Sequence, residues 1–346
     1  MSWTKIKGHS AGISVLRSAL AGERLPHAYI FTGDDGVGKT LVATETGTAY
    51  LCTENSDQAC GQCKSCVWIH AGNHPDFYQL QIKKDKSHIT VDVIRDALQW
   101  LSLKSVTPNG RRIMIVPDAD RMTVEAANAF LKALEEPPEG TLIVLTTAHY
   151  ESLLPTVISR CQKITFSGLS ESEMSEILSE WNVFDDKDIR LLSRISGGSP
   201  GGVRRILNAA WSDESASGWK ECHALVVEIL DRPGEMDPLE AADRLNTICD
   251  LRKKDTNEGS ESENKNPASP RNTLRIVMEM LIMEVSQRMK QKSDQRIKLA
   301  ALHTLAVKFL ENLEKNVNIM IGTDVFFIRL CNILNSEEST ALAAMG

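Results

Sequence analysis

The chain has 346 residues, 42% of them hydrophobic, which is more apolar material than one ordinary core holds, so two or three packed domains are expected. A formal net charge of −7 excludes electrostatic wrapping of nucleic acid by the whole surface and leaves only local or shared contacts. The start, MSWTKIKGHS, lacks the basic region and apolar core of a secretory signal, and the run TLIVLTTA is too short to span a bilayer, so a soluble, cytoplasmic chain without membrane contact is expected.

The first strong element is HAYIF, residues 27–31, a β-rich apolar run, followed by GDDGVGKT and then by LVATETGTAYL with helical spacing. Glycines therefore lie where a buried strand turns into a helix. Gly33, Gly36 and Gly38 let backbone N–H groups approach phosphate oxygens, Lys39 brings a positive charge to the terminal phosphates, and Thr40 can ligate magnesium. The complete GxxxxGKT pattern in this context points to ATP with Mg2+, against the plainer reading of a glycine turn that only joins two elements.

Downstream, CTENSDQACGQCKSC places Cys52, Cys60, Cys63 and Cys66 in a short stretch in which CxxC repeats twice. Clustered cysteines in a long chain without an export signal bind metal or stay reduced. Two successive CxxC steps bring neighbouring sulfurs together, and a thiolate from the end of the preceding helix completes a four-thiolate structural zinc site with no open position for a reacting water. A redox pair and plain reduced thiols are the alternatives, and the nearby His70 and His74 are read as surface residues rather than ligands.

RRIMIVPDADRM, residues 111–122, has the form of a second buried parallel strand, with acids beyond its carboxyl end where they can bind magnesium. TVEAANAFLKALEEPPEG follows as a helix, with Ala126, Phe130, Leu131 and Leu134 at helical spacing, and is stopped by Pro137 and Pro138. TLIVLTTA is a third strand, and LLPTVISRCQKITF carries Ser159, Arg160 and Cys161 just ahead of a further short strand, KITF.

From HAYIFTGDDGVGKT through the four cysteines, DADRM, NAFLKALEEPP and LLPTVISRCQ, the chain resembles the AAA+ clamp-loader family of bacterial DNA polymerase III, and within it the delta-prime branch. The resemblance covers residues 1 to about 210. It implies an α/β plus all-α protein: an AAA+ P-loop parallel-sheet domain at 1–167 with an inserted zinc knuckle at 52–66, a small helical lid at 168–212, and a carboxyl-terminal helical collar at 213–346. It also implies that Arg160 acts as a trans arginine finger on ATP held by a neighbouring subunit, a role that suits a guanidinium facing spread phosphoryl charge. An arginine paired with a nearby carboxylate at a strand end is the plainer reading. The implied partners are gamma/tau-type and delta-type subunits, the sliding clamp and, indirectly, primed DNA.

ATP-hydrolysing members carry Asp-Glu after the apolar strand, where this chain has Pro117, Asp118, Ala119 and Asp120. If the strand sets the register, Asp118 takes the aspartate place and Ala119 removes the base; if Asn128 sets it, Pro117 and Asp118 replace the pair. Either way one half is missing, and turnover is expected to suffer more than binding. Thr146 and Thr147 stand where the family places a polar sensor of the γ-phosphate, and the gap before Cys60 is one residue shorter than the family pattern.

After KITF, three short helices are expected: Ser170 with Glu173 forms a capping box, Asp185 or Asp186 caps the second, and Ser199-Pro200 starts the third. Arg204 and Arg205 are the local candidates for a phosphate-sensing arginine, with GGSPGG ahead of them departing from the family pattern. From about 215 the chain is helical, interrupted by the polar run DTNEGSESENKNPASP, a disordered loop at 255–270. The methionines at 278, 280, 283 and 289 are read as helix core. Two readings compete: a stator that binds nucleotide, hydrolyses it slowly and lends Arg160, and an active motor ATPase of the same family. A stand-alone zinc-dependent nucleic-acid binder is disfavoured, because the knuckle has no basic or aromatic surround.

Overall fold

The computed structural model describes residues 3–22, 25–55, 57–81, 88–107, 110–181, 184–209, 218–233, 235–249, 269–291, 295–313 and 318–336. The chain divides into two units, Met1–Ile189 with Gly198–Gly201, and Arg190–Gly197 with Gly202–Gly346.

The first unit is built on a sheet of five parallel strands: β1 (Ala28–Thr32), β2 (Phe77–Gln79), β3 (Arg112–Val116), β4 (Thr141–Thr147) and β5 (Gln162–Thr165), in the order β2-β3-β4-β1-β5. Around it lie α1 (Ser10–Ala21), α2 (Lys39–Leu51), α3 (Lys64–His70), α4 (Val91–Ser102), α5 (Val124–Glu135), α6 (Pro155–Ile158) and α7 (Glu171–Ser179). The sequence of β1, β3 and β4 reads as continuous apolar runs because both sheet faces are covered. Alternate residues divide between two cores. Tyr29, Phe31, Ile113, Ile115, Leu142 and Val144 meet Leu16 and Leu20 of α1 and Val42 and Leu51 of α2. Ala28, Ile30, Met114, Val116, Ile143 and Leu145 meet Ile94 of α4, Phe130 and Leu134 of α5 and Val157 of α6. This is the AAA+ arrangement expected, with one strand more than the sequence reading held: β2 has three half-buried residues and too little pattern to announce itself.

Local chemistry ends the helices where the sequence suggests. Thr123 caps α5 by accepting from the Ala126 N–H, and Pro137 and Pro138 follow the helix end. Ser170 and Glu173 form the capping box of α7. Two further short helices follow, α8 (Asp186–Ile195), capped by the Asp185 carboxylate at 2.8 Å from the Asp188 nitrogen, and α9 (Pro200–Leu207), which opens on proline.

The second unit packs α10 (Gly218–Asp231), α11 (Pro238–Ile248), α12 (Pro270–Gln291), α13 (Arg296–Leu313) and α14 (Ile319–Asn335) around one apolar core. Met278 is fully inside it, Met289 packs against it, and Met280 is also buried. Nearly all of the disordered loop expected at 255–270 lies outside the described residues; only Ser269 and Pro270, leading into α12, are described.

One ionic cluster sits within this unit. Glu284 receives Arg288 at 3.1 Å, and Arg194 and His223 stand 3.5 and 3.8 Å from its other oxygen. The nearby His223 ring, with Arg288 and Arg194, overcomes the upward push of burial and takes Glu284 down to about 2. A depressed carboxyl stabilises the fold fully above its ordinary value of 4.5 and loses that contribution as pH falls towards 2. Glu284→Ala is expected to lower unfolding free energy by about 3 kcal/mol at neutral pH, because the fold loses what the depressed, nearly buried carboxylate contributes. Urea titrations of both proteins should show that difference shrinking below pH 4.5.

Candidate functional site

The glycine-rich loop emerges from the carboxyl end of β1 and runs into the amino end of α2, the strand-turn-helix context that phosphate binding needs. Gly33 has φ 145°, and a Cβ there would fall 1.9 Å from the Phe166 carbonyl oxygen, so only glycine fits. Lys39 is 6% exposed and folds back on the loop, its Nζ donating to the carbonyls of Gly33 at 2.6 Å and Asp34 at 2.7 Å. Burial pulls the Lys39 ammonium below the ordinary lysine range, against the opposing pull of Asp35, Asp118, Asp34 and Asp120. The loop thus has a cation held by its own carbonyls and ringed by acids. Thr40 is half-buried in the first turn of α2.

The acids after β3 divide their roles. Asp118 adopts φ 47°, the left-handed region that a non-glycine residue rarely enters, and faces Arg121 at 3.6 Å. Burial, then the charges of Asp35 and Asp120, raises its carboxyl above the usual aspartate range. Ala119 is buried and offers no carboxylate. Asp120, which sequence reasoning did not single out, accepts a 2.5 Å hydrogen bond from the Thr147 hydroxyl at the end of β4. Of the two sensor threonines, then, Thr147 reaches the acids, while Thr146, one step along the strand, alternates to the other face.

Several loop contacts were invisible in the sequence. His9 Nε2 lies 2.8 Å from the Val37 carbonyl, the Ser199 hydroxyl donates to the Asp35 carbonyl at 2.7 Å, and the Gly201 N–H donates to the Gly36 carbonyl at 3.0 Å. A Cβ on Gly36 would stand 2.7 Å from the Gly201 Cα. The GGSPGG departure noted in the sequence therefore has a steric meaning: two glycine backbones touch. The candidate Arg205 lies 3.5 Å from Glu279 within the second unit, and Arg204 is one residue before it on α9.

At the far end of α2, the Sγ atoms of Cys52, Cys60, Cys63 and Cys66 all lie within 4.8 Å of one another, with Cys52 to Cys63 at 3.9 Å and Cys60 to Cys66 at 4.0 Å. Four sulfurs at about 2.3 Å from one tetrahedral ion stand about 3.8 Å apart, so the donor set fits a metal with little movement. Backbone N–H groups already point at the sulfurs: Cys63 to Cys60 at 3.2 Å, and Cys66 to Cys63 at 3.5 Å, where Cys63 caps α3. Burial pushes the Cys63 thiol up, but hydrogen bonds from Thr53 and Cys66 more than offset this and bring it to about 6. The cluster is tied to α1 through Asp57, which meets Arg17 at 2.5 Å. His74 is buried and stands outside the four-sulfur group; it was read as a surface residue, and its Nδ1 instead accepts from the Asp76 N–H at 3.1 Å.

Arg160 follows α6 in the turn into β5. Tyr29 pairs with Gln162 and Thr32 with Thr165, so Arg160 enters at the amino-terminal edge of the sheet while the glycine-rich loop leaves from the carboxyl-terminal edge. At about 3.3 Å per residue the two are separated by roughly 20 Å along the strands. The arginine head is one-third exposed and bound to Glu135 at 2.5 Å, to the Thr156 carbonyl at 2.7 Å and to the Ser159 hydroxyl at 3.1 Å. Among the described residues, no helix is long and apolar enough to cross a membrane.

A family model described as DNA polymerase III, delta subunit, matches residues 8–170. Subunit delta-prime of DNA polymerase III from Bacillus subtilis is 32% identical over 219 residues, covering 63% of this chain and 63% of that protein. The Pseudomonas aeruginosa delta-prime subunit is 33% identical over 210 residues, 58% of this chain and 60% of that one. Subunit gamma/tau from Mycobacterium bovis is 31% identical over 242 residues, 68% of this chain and 41% of that one. The chain thus spans 63% and 60% of the lengths of these two delta-prime relatives, and the resemblance to delta-prime read from the motifs is borne out.

The cysteine cluster can be tested independently of any relative. Titration of the reduced, chelator-treated chain with Co2+ is expected to give the thiolate-to-metal absorption of a tetrahedral four-sulfur site at one equivalent. Cys66→Ser should abolish the four-sulfur spectrum and weaken affinity by about 100-fold or more.

Proposed function

We propose that this chain is a delta-prime-type subunit of a DNA polymerase III clamp loader, a stator that holds nucleotide and lends Arg160 to the ATP site of a neighbouring subunit during loading of the sliding clamp onto primed DNA. The observation that carries this reading is the separation of Arg160 from the chain's own glycine-rich loop by the length of β1 and β5. An arginine at that edge has no access to nucleotide bound at Lys39 of the same chain, but can meet one presented by another. In its own site, Gly33, Gly36, Gly38, Lys39 and Thr40 hold the phosphates, and Asp118 lies by Lys39 to share a hydrated magnesium ion.

Turnover at that site is slow on this reading, because Ala119 carries no base and the Asp118 carboxyl is turned into an αL corner against Arg121. Asp120 is engaged by Thr147. Water is then poorly oriented, and phosphoryl transfer depends mainly on positioning. The four cysteines hold a structural zinc ion that fixes the loop after α2. The division into a nucleotide-binding domain at 1–167, a lid at 168–212 and a collar at 213–346 is part of the same proposal. Its expected neighbours are gamma/tau-type and delta-type subunits, and it implies a cytoplasmic location.

The motor reading draws on the complete GDDGVGKT loop, with Lys39 beside acids. The two readings separate in one pair of measurements. The purified chain is expected to bind Mg-ATP yet hydrolyse it far more slowly than the assembled complex, with binding lost in Lys39→Ala. In the reconstituted complex, Arg160→Ala should lower turnover at the neighbouring site about 100-fold or more. Brisk hydrolysis by the isolated chain, abolished by Lys39→Ala, would overturn the stator reading.

A further inference from the structure

The head group of Arg160 is restrained from three directions by its own chain. Both Nη1 hydrogens are committed, to the Thr156 carbonyl at 2.7 Å and the Ser159 hydroxyl at 3.1 Å, and Nη2 donates to Glu135 Oε1 at 2.5 Å. A guanidinium has five N–H donors, so Nε–H and one Nη2–H are left without a partner among the described residues. The arginine and glutamate side chains are 33% and 48% exposed, and an ion pair this wet contributes little to stability. Fold stability is therefore a poor reason for the arrangement.

The location of Glu135 adds a second observation. It is the last residue of α5, followed by Glu136 and then by Pro137 and Pro138. Carboxylates at a helix carboxyl end oppose the helix dipole, so an acid there works against the helix unless a cation answers it. The guanidinium supplies that cation. Helix α5 is anchored by Phe130 and Leu134 in the sheet core, so the Glu135 carboxylate is presented from a rigid element rather than from a loop.

We propose that Glu135 is the positioning residue for Arg160, holding one corner of the guanidinium so that its two remaining N–H donors face an anion brought by another chain. This rests on the reading of Arg160 as a trans-acting arginine. A free surface arginine gives up side-chain freedom when it is fixed, and the three-point restraint meets that cost on folding instead of in the neighbour's transition state.

The test measures ATP turnover of the reconstituted complex with four variants of this chain, after circular dichroism and assembly have been checked for each. Glu135→Ala is expected to lower kcat about tenfold with KM within a factor of about two, since orientation rather than ATP binding is lost. Glu135→Gln should recover most of the rate, because its amide oxygen still accepts from Nη2. The double variant Glu135→Ala/Arg160→Ala should be no slower than Arg160→Ala alone. If Glu135→Ala leaves kcat unchanged or raises it while Arg160→Ala lowers it, the carboxylate does not position the arginine and the inference fails by itself. If Arg160→Ala has no effect, the parent reading fails with it.

Discussion

The constraint on which the rest of the molecule depends is that the central sheet is parallel and buried on both faces. Every strand therefore points the same way, and every loop that follows a strand is delivered to one edge. The glycine-rich loop after β1, the acids after β3 and Thr147 at the end of β4 meet there without any sequence proximity. Segments that precede a strand arrive at the other edge, which is where Arg160 enters β5 and where α5 returns Glu135. Two chemically different edges, one carrying Lys39 among acids and one carrying the Arg160 guanidinium, follow from strand direction.

On the proposed reading, that geometry lets one chain be incomplete as a catalyst and still useful to catalysis. The cation of the glycine-rich loop is in place, and the acids around it help to raise the Asp118 carboxyl and oppose the fall that burial imposes on Lys39. The carboxylate that would orient water is replaced by the buried Ala119 or displaced into the corner at Asp118. The arginine at the other edge is meanwhile fixed by neighbours on its own chain.

What the sequence made legible was local. The loop between a β-rich run and a helix, the double CxxC, the capping box at Ser170 and the proline stop after α5 each occupy a few consecutive residues whose chemistry dictates their shape. What it concealed was contact between distant segments: Asp120 with Thr147, His9 with Val37, and Glu135 with Arg160. None of these pairs has a spacing that marks it. The strand β2 was hidden for a different reason, because three half-buried residues carry no alternation long enough to read. His74 is misplaced because a lone histidine says nothing of burial, and neither the Trp68 ring beside it nor the Asp76 N–H it accepts from forms a readable motif with it.

The touching glycines carry a consequence for how this sequence can vary. Gly36 and Gly201 belong to segments so far apart that the neighbouring contact, Ser199 to Asp35, spans 164 residues. Neither backbone has room for even one methyl group against the other. Ordinary compensation, in which a larger residue on one side is matched by a smaller one on the other, is closed to a pair already at the minimum size. Drift at either position is arrested by the other, so two short stretches at opposite ends of the domain's sequence are inherited as though they were adjacent.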